Sequence, residues 1–370
     1  MKIERVVLHH LRMRLRTPFE TSFGRISERD CLLIEVHAEG ITGYGECVAD
    51  RDPGYSYETA KTAWHILEEF ILPKIIGLDI PGPAELQEHM AFVRGHPMAK
   101  AGLEMAIWDL KGKLTGQSLS QMLGGSRQVV EVGVSVGLQD SPEALVKVVA
   151  GYLDQGYRRV KIKIKPGRDV ADTQAVHRAF PELRLQVDAN SAYTLETAKA
   201  LLPLDELNLL LIEQPLAEDD LWDHSRLQTL FHTPLCLDES ILSARHARQA
   251  LEMSACRIIN IKTGRTGGLS QGKAIHDLCL ARGIPVWCGG MLETGAGRAA
   301  NLAFASLPGF ILPGDISASD RYYTEDITAE RFTLNPGSTI DVPVRPGLGV
   351  TINPQALERA CLNKKDFFNS

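Results

Sequence analysis

The sequence predicts an α/β protein, a (β/α)8-type (TIM-like) barrel preceded by an N-terminal α+β capping domain. Eight short apolar runs follow residue 130, and most gaps between them have helical periodicity. Before residue 125, alternating strand-like patterns come first and helical patterns follow, which is typical of an α+β domain. Runs that are apolar throughout suit parallel strands buried on both faces.

Each domain has its own set of predicted elements. In the capping domain (1–125), strands are predicted at 2–16 and 30–38 and helices at 57–76, 84–94 and 97–115. The barrel (126–320) has predicted strands at 131–136, 159–164, 184–188, 208–213, 234–238, 257–262, 284–288 and 310–314. Its predicted helices are 142–155, 194–202, 219–230, 243–253 and 269–282. The C-terminal segment (321–370), with strand-like pieces at 331–335 and 339–342, is expected to complete the barrel and pack on the capping domain.

Composition excludes several classes of protein. The net charge of −6 is spread without long single-sign runs, which argues against a nucleic-acid surface or a polybasic membrane patch. No apolar stretch is long enough for a membrane span or a signal peptide. Seven scattered cysteines without a CxxC pair indicate reduced thiols, so a cytoplasmic location is expected. The expected protein partners are further copies of the chain.

Charged residues stand at the ends of five consecutive predicted strands. Lys163, Asp188, Glu213 and Asp238 follow one another at intervals of 25 residues, and Lys262 comes 24 residues later. One interval corresponds to one β/α unit, so these side chains are expected at the same height in the barrel. The C-terminal strand ends form the active-site face of such barrels.

The three acids predict a metal site. Asp188, Glu213 and Asp238 would converge from neighbouring strands, and three carboxylates repel one another unless a cation neutralises them. Because no His or Cys joins them, the predicted ligands are all oxygens. Such a set favours Mg²⁺ first and Mn²⁺ second.

The two lysines predict acid/base chemistry. Strands two and six face each other across a ring of eight, so Lys163 and Lys262 would flank the metal. A nearby dication lowers the pKa of an ammonium group and makes a neutral amine available as a base. The substrate would be a carboxylate that loses its α-proton, with the metal stabilising the enediolate. The two lysines either act in turn on opposite faces, or one acts as base while the other stabilises charge.

Four neighbouring residues have two interpretations each. Lys161 shares the face of Lys163 and either contacts the substrate carboxylate or covers a neighbouring acid. Asn190 bonds the substrate or a water molecule on the metal. Glu239 either pairs with a catalytic lysine or caps a helix. Arg265 either lowers the pKa of Lys262 or binds a surface acid, and the second is favoured.

These motifs resemble those of the enolase superfamily, in its muconate lactonizing enzyme-like subgroup. The motifs that carry the resemblance are KIK (161–163), DAN (188–190), EQP (213–215), DES (238–240) and NIK (260–262). More narrowly, the chain is similar to the o-succinylbenzoate synthase / N-succinylamino acid racemase family. The closest segments are PVWCGGMLETGAGRAAN (285–301) and LPGDISASDRYY (312–323).

The resemblance implies residue roles across the site. It makes Asp188, Glu213 and Asp238 the Mg²⁺ ligands and Lys163 and Lys262 the acid/base pair. It also implies a set of substrate contacts from both domains. These contacts are Phe19 and Phe23 in the 19–24 loop, Tyr55, Ser135, Gly290, Met291 and Tyr322.

Several functions remain open at the sequence level. The first is o-succinylbenzoate synthase, which performs a syn dehydration on the menaquinone pathway, and the second is racemisation of N-succinyl or N-acyl amino acids. Muconate-type cycloisomerisation and a non-catalytic metal-binding protein are less favoured. Cys288 and Gly289 stand where a mandelate racemase-like member has a His base. The segment 314–317 lacks the second acid that dipeptide epimerases use for an ammonium group, which argues against a free α-amino substrate.

Overall fold

The computed structural model describes residues 1–368. Its strands are β1 (Arg5–Thr21), β2 (Gly24–Ala38), β3 (Ile41–Cys47), β4 (Val129–Glu131), β5 (Val134–Val136), β6 (Arg159–Lys163), β7 (Arg184–Asp188), β8 (Ile212–Glu213), β9 (Leu235–Leu237), β10 (Ile258–Ile261), β11 (Val286–Cys288), β12 (Thr339–Asp341) and β13 (Cys361–Phe368). Its α-helices are α1 (Ala60–Ile66), α2 (Leu72–Ile75), α3 (Pro83–His89), α4 (Pro97–Thr115), α5 (Leu119–Leu123), α6 (Pro142–Asp154), α7 (Val170–Ala179), α8 (Leu221–Gln228), α9 (Ala244–Glu252), α10 (Leu269–Ala281), α11 (Gly295–Ala305) and α12 (Pro354–Ala360). Within this range no helix is both long and apolar enough to cross a bilayer.

The capping domain is an antiparallel sheet of order β13-β1-β2-β3 packed against helices. The chain end returns to this sheet, because β13 pairs with β1 from Arg5 to Leu11. Helix α4 packs closely on β3, where Gly43 and Gly45 leave room for its backbone. A separate apolar core fills this domain, with Leu32, Ile34, Leu103 and Ile107 fully buried.

The second domain is a curled parallel sheet in the order β5 to β11, which is the sequential order of a (β/α) barrel. The predicted eighth strand, 310–314, is not a continuous strand. It makes two single parallel bridges instead, Val286 to Phe310 and Val132 to Gly314, and these link β11 to the beginning of the barrel. Pro313 has no backbone N–H to donate to a ladder, which explains why the pairing is interrupted.

Two other predicted elements differ from the structure. The helix predicted at 194–202 is a 3-10 helix, Thr197–Leu207, and Pro203 inside it removes an α-helical hydrogen bond. In the tail, 339–341 forms β12 and pairs with β4, whereas 331–335 contributes only a single bridge from Asn335 to Thr339.

The long β1–β2 hairpin reaches from the cap to the barrel, since Leu138 N donates to Glu20 O (3.0 Å).

Candidate active site

A cavity of about 350 Å³ lies between the hairpin tip, the loop after β3 and the C-terminal ends of the barrel strands. Eleven of the residues singled out in the sequence line it. They are Phe19, Phe23, Tyr55, Ser135, Lys161, Lys163, Asn190, Lys262, Gly290, Met291 and Tyr322. The other five (Asp188, Glu213, Asp238, Glu239 and Arg265) are buried and bonded to cavity-lining side chains.

The three predicted metal ligands are fully buried, and each bonds to a lysine. Lys163 Nζ donates to Asp188 Oδ2 (2.6 Å), Lys161 Nζ to Glu213 Oε2 (2.8 Å) and Lys262 Nζ to Asp238 Oδ2 (2.7 Å). The register explains the proximity, because Lys163, Asp188 and Glu213 are direct partners across β6, β7 and β8. Within residues 1–368, no three acidic, His or Cys side chains converge at ligand distance. The positive charge next to these acids comes from the three lysines and from Arg265.

The donor set nevertheless fits a hard cation. Burial and the neighbouring Asp188 raise the pKa of Glu213, and the same two causes raise the pKa of Glu239 to about 7. The Glu239 Oε2 atom is buried without a hydrogen-bond partner in the described chain. Burial and Asp188 thus disfavour the negative charge of these two glutamates. A divalent ion with oxygen ligands would neutralise it.

The two lysines proposed from the sequence have different environments. Lys163 also donates to Asn190 Oδ1 (2.6 Å), and burial lowers its pKa. Lys262 also donates to Tyr55 Oη (3.0 Å). Burial by itself lowers the pKa of Lys262, but Tyr55 and nearby carboxylates such as Glu239 outweigh it and raise the pKa.

The Lys161 ammonium group lies against three buried carboxylates, which agrees with one of the two interpretations proposed from the sequence. Its Nζ lies 2.8 Å from Glu213, 3.0 Å from Asp188 and 2.7 Å from Asp315. Asp315 is a site residue that the sequence did not predict. The segment 314–317 was interpreted only through its lack of a second acid, and Asp315 itself was given no role. Its carboxylate also accepts from Arg159 Nη1 (2.6 Å). Its position at the end of the predicted eighth strand could have identified it.

Asn190 and Glu239 form a short chain of hydrogen bonds behind Lys163. Asn190 Nδ2 donates to Glu239 Oε1 (2.8 Å), while its Oδ1 accepts from Lys163. Glu239 therefore reaches the lysine through an amide. The predicted direct pairing of Glu239 with a catalytic lysine does not occur among the described residues.

Arg265 does not bind a surface acid. It is 2% exposed, and its guanidinium contacts the buried Asp238 carboxylate and donates to Tyr55 Oη (3.1 Å) and Asn260 O (3.0 Å). The acid it binds is thus one of the three predicted metal ligands. Asn260, a second residue that the sequence reasoning missed, donates through Nδ2 to Glu213 Oε1 (2.7 Å).

Aromatic side chains close the cavity from the capping side. The rings of Phe19 and Tyr322 meet edge to face with centroids 6.5 Å apart, and those of Phe23 and Tyr55 lie 6.3 Å apart. Phe23 is still 46% exposed, so the tip of the hairpin remains accessible to solvent. Ser135 Oγ on the barrel side is buried without a partner in the described residues and is free to bond a ligand.

A barrel whose C-terminal face gathers buried acids and lysines beneath a separate cap has the architecture of an enolase-type enzyme. Comparison with known families agrees with this. Residues 2–124 match the mandelate racemase / muconate lactonizing enzyme N-terminal domain, and residues 144–356 match the enolase C-terminal domain-like family. The chain therefore belongs to the enolase superfamily of enzymes, whose members use a divalent metal ion.

Characterised relatives extend over nearly the whole chain. The o-succinylbenzoate synthase of Geobacillus kaustophilus is 52% identical over 97% of this chain and 96% of its own. The N-succinylamino acid racemase of Thermus thermophilus is 49% identical over 98% of both chains. A solved enolase superfamily member from Listeria innocua has a TM-score of 0.95 at 42% identity and covers 100% of this chain and 99% of its own.

Proposed function

We propose that the protein is an o-succinylbenzoate synthase, which removes the α-proton of a cyclohexadiene carboxylate and expels hydroxide from the same face. The observation that carries this proposal is the pair Lys163 and Lys262, buried at the ends of β6 and β10 and each bonded to an acid. The 52% identity to a synthase over nearly the full chain supports the substrate assignment. The reaction belongs to menaquinone biosynthesis, which fits a cytoplasmic homo-oligomeric enzyme.

Lys163 is the base in this proposal. Burial lowers its pKa, so its neutral amine is more readily available than that of an exposed lysine. The Oδ1 atom of Asn190 orients its Nζ. After taking the α-proton, the ammonium group returns a proton to the departing hydroxide. Lys262, whose pKa is raised, remains charged and stabilises the negative charge that develops on the carboxylate.

Asp188, Glu213 and Asp238 would hold Mg²⁺, and Mn²⁺ is the expected substitute. The ion, when bound, supplies positive charge that acidifies the α-proton and stabilises the enediolate. One oxygen atom of each of these three carboxylates bonds to a lysine, so an ion held there would lie beside those ammonium groups. Lys161 also pairs with Asp315, which is not one of the three expected ligands.

Racemisation of N-succinyl or other N-acyl amino acids is the second candidate. It is favoured by the presence of a lysine on each side of the cavity and by the 49% identity to a racemase. Asp315, the acid of the segment 314–317, is not available to pair with a free α-amino group, because Lys161 and Arg159 already neutralise it. The acyl oxygen or amide of an acylated substrate could instead bond Ser135 Oγ.

One experiment tests both functions. With Mg²⁺ or Mn²⁺, dehydration of the synthase substrate is followed by ultraviolet absorbance, and α-deuteration of N-succinyl-phenylglycine in D₂O by NMR. Rapid dehydration with slow deuteration identifies a dedicated synthase, and comparable kcat/KM values identify a bifunctional enzyme. If the metal-loaded protein shows neither dehydration nor α-deuteration, both proposals are wrong.

Variants connect the activity to the site. Lys163→Ala and Lys262→Ala should each lower kcat by at least roughly a hundredfold, the scale of a lost general acid or base. Lys165→Ala is the matched control, because its side chain is 39% exposed just beyond β6 and does not line the cavity. Circular dichroism at the assay temperature should show all variants folded, although Lys163→Ala and Lys262→Ala each remove one partner of a buried ion pair and should unfold at a lower temperature than wild type.

A further inference from the structure

Tyr55 belongs to the capping domain, yet its hydroxyl is fully engaged by barrel side chains. It lies in residues 48–59, which follow β3 and contain no helix or strand. Tyr55 Oη accepts from Lys262 Nζ (3.0 Å) and from Arg265 Nη1 (3.1 Å), and it donates to Asp238 (3.3 Å to Oδ1). A phenol has one donor and two acceptor positions, so all of its hydrogen-bonding capacity is used.

The aromatic ring of Tyr55 supports the same contact. Lys262 Nζ lies 4.6 Å from the ring centroid, within the range of a cation–π interaction. The ring in turn packs on Phe23 at the tip of the β1–β2 hairpin. Tyr55 thereby connects Lys262 to both capping segments that border the cavity.

Lys163 has no equivalent support. Its two partners, Asp188 and Asn190, both come from the end of β7 and so belong to the barrel. The Lys163 ammonium group therefore bonds only to barrel side chains, whereas that of Lys262 also bonds to a side chain of the cap. The cap reaches Asn190 only at its backbone, where Ser22 Oγ donates to Asn190 O (3.2 Å).

We propose that Tyr55 is a positioning residue for Lys262 and that it acts on only one of the two faces of the substrate. The inference rests on the second candidate function, racemisation, in which the two lysines exchange the α-proton on opposite faces of the substrate. Without the hydroxyl, Lys262 keeps Asp238 as its sole hydrogen-bond partner among the described residues. Its Nζ then samples more orientations, and proton transfer on its face slows.

The proposal predicts a stereochemical asymmetry that a general structural role would not produce. Each enantiomer of an N-acyl amino acid presents its α-proton to a different lysine. Tyr55→Phe keeps the ring and its packing but removes the hydroxyl. It should slow α-proton exchange of the enantiomer served by Lys262 by roughly tenfold to a hundredfold, the range for a misplaced catalytic group. Exchange of the other enantiomer should change less than about twofold.

The experiment measures initial rates of α-deuteration for the separate enantiomers of N-succinyl-phenylglycine, with saturating Mg²⁺ in D₂O. Lys262→Ala first identifies which enantiomer depends on Lys262. Tyr55→Phe is then compared with wild type and with Tyr57→Phe, a control in the same loop whose side chain is 60% exposed and lies outside the cavity. The exchange of the enantiomer served by Lys163 is an internal control for folding and metal loading.

Three results would overturn the proposal, and they differ from one another. Equal slowing of both enantiomers would assign Tyr55 to the metal site or to folding, because both serve the two faces alike. Unchanged exchange of both would mean that the hydroxyl has no role in positioning. Wild-type enzyme that exchanges neither enantiomer would remove the two-lysine function on which the inference rests.

Discussion

Burial acts to lower the pKa of both lysines of the site, but their different neighbours give the two lysines different pKa values. For Lys163, burial dominates and the pKa falls. For Lys262, the contact with Tyr55 and the charge of nearby carboxylates reverse the effect of burial, and the pKa rises. One site therefore contains a lysine suited to accept a proton and another suited to remain charged. Such a division of roles fits a one-base dehydration with electrostatic assistance.

Removal of the metal ion should weaken the fold measurably. An ion that binds only the folded state at about 100 times its Kd raises the free energy of unfolding by about 2.7 kcal/mol. Glu213→Gln should lose most of this Mg²⁺-dependent gain, because it removes one of three charged ligands. Urea unfolding with Mg²⁺ and with EDTA measures the gain for both proteins. Asp277→Asn, a change at a 51% exposed carboxylate far along α10, should keep the wild-type gain.

Asp315 is expected to be as important for stability as for the site. Arg159 is fully buried, and its guanidinium bonds only to Asp315 and to Pro313 O among the described residues. Asp315→Asn would leave this cation without its counter-charge, and breaking a buried pair in this way costs about 3–5 kcal/mol. Urea unfolding should show a loss in that range. The exposed Asp320→Asn in the same segment should change stability by less than about 0.5 kcal/mol, and an equal loss in both would contradict the ion-pair explanation.

Sequence spacing predicted the residues on regular strands and missed those whose position depends on other elements. The regular interval predicted the common height of Lys163, Asp188 and Glu213, which the register of β6 to β8 reproduces. Asp315 stands at the end of the predicted eighth strand, but it lies outside the regular interval that relates the other charged residues, so the spacing argument did not include it. The contact between Tyr55 and Lys262 joins residues 207 positions apart and depends on how the cap docks, which no local pattern encodes.

At the level of elements, the best prediction was a helix whose sequence agrees with its environment throughout. Helix α4 has the predicted bounds, begins with Pro97 at its first position and ends before Gly116 in the left-handed conformation. Gly102 stands in the middle of the helix because a side chain at this position would collide with β3. A Cβ there would lie 2.7 Å from Cys47 N and 2.9 Å from Cys47 Cα on β3.

Two helical glycines should therefore respond in opposite directions to the same substitution. Gly102→Ala forces α4 away from β3 and should destabilise the protein by about 1–3 kcal/mol, as overpacking does. Gly151→Ala in α6 meets open space and should stabilise it by roughly 0.5–1 kcal/mol through helix propensity. Chemical denaturation of both variants provides the comparison. Stabilisation by Gly102→Ala would show that α4 and β3 separate without cost.

Across the whole molecule, buried glutamates of the cap bind the beginnings of barrel helices. Glu104 accepts from Leu269 N (2.8 Å) and Ser270 N (3.0 Å), the first residues of α10, which has no side-chain N-cap of its own. Glu46 accepts from Thr294 N (3.1 Å), at the beginning of α11. Carboxylates at helix N-termini satisfy otherwise unpaired N–H groups. These contacts hold the cap against the barrel beside β10 and β11, which end next to Lys262 and Gly290.

Glu58 makes the same kind of contact inside the cap, with a consequence for pH. Its carboxylate accepts from Met98 N (2.7 Å) and Ala99 N (3.1 Å) at the beginning of α4. Burial outweighs these bonds and raises its pKa from 4.5 to about 7. Between those pH values the folded protein binds a proton that the unfolded chain has released. The contribution of Glu58 to stability is therefore complete below about pH 4.5 and is lost as the pH rises toward 7.

Glu58→Gln, which removes this titration, should flatten the pH dependence of unfolding. Over the full interval the shift corresponds to roughly 3 kcal/mol. Urea unfolding at several pH values between about 5 and 8 should show wild-type stability falling more steeply than that of the variant. Glu239 titrates in the same direction, so only the difference between the two profiles is assigned to Glu58. Glu69→Gln, at an exposed carboxylate nearby, should reproduce the wild-type profile. Parallel profiles for wild type and Glu58→Gln would mean that the Glu58 carboxyl group titrates alike in the folded and unfolded chains, so that its two backbone hydrogen bonds offset the cost of its burial.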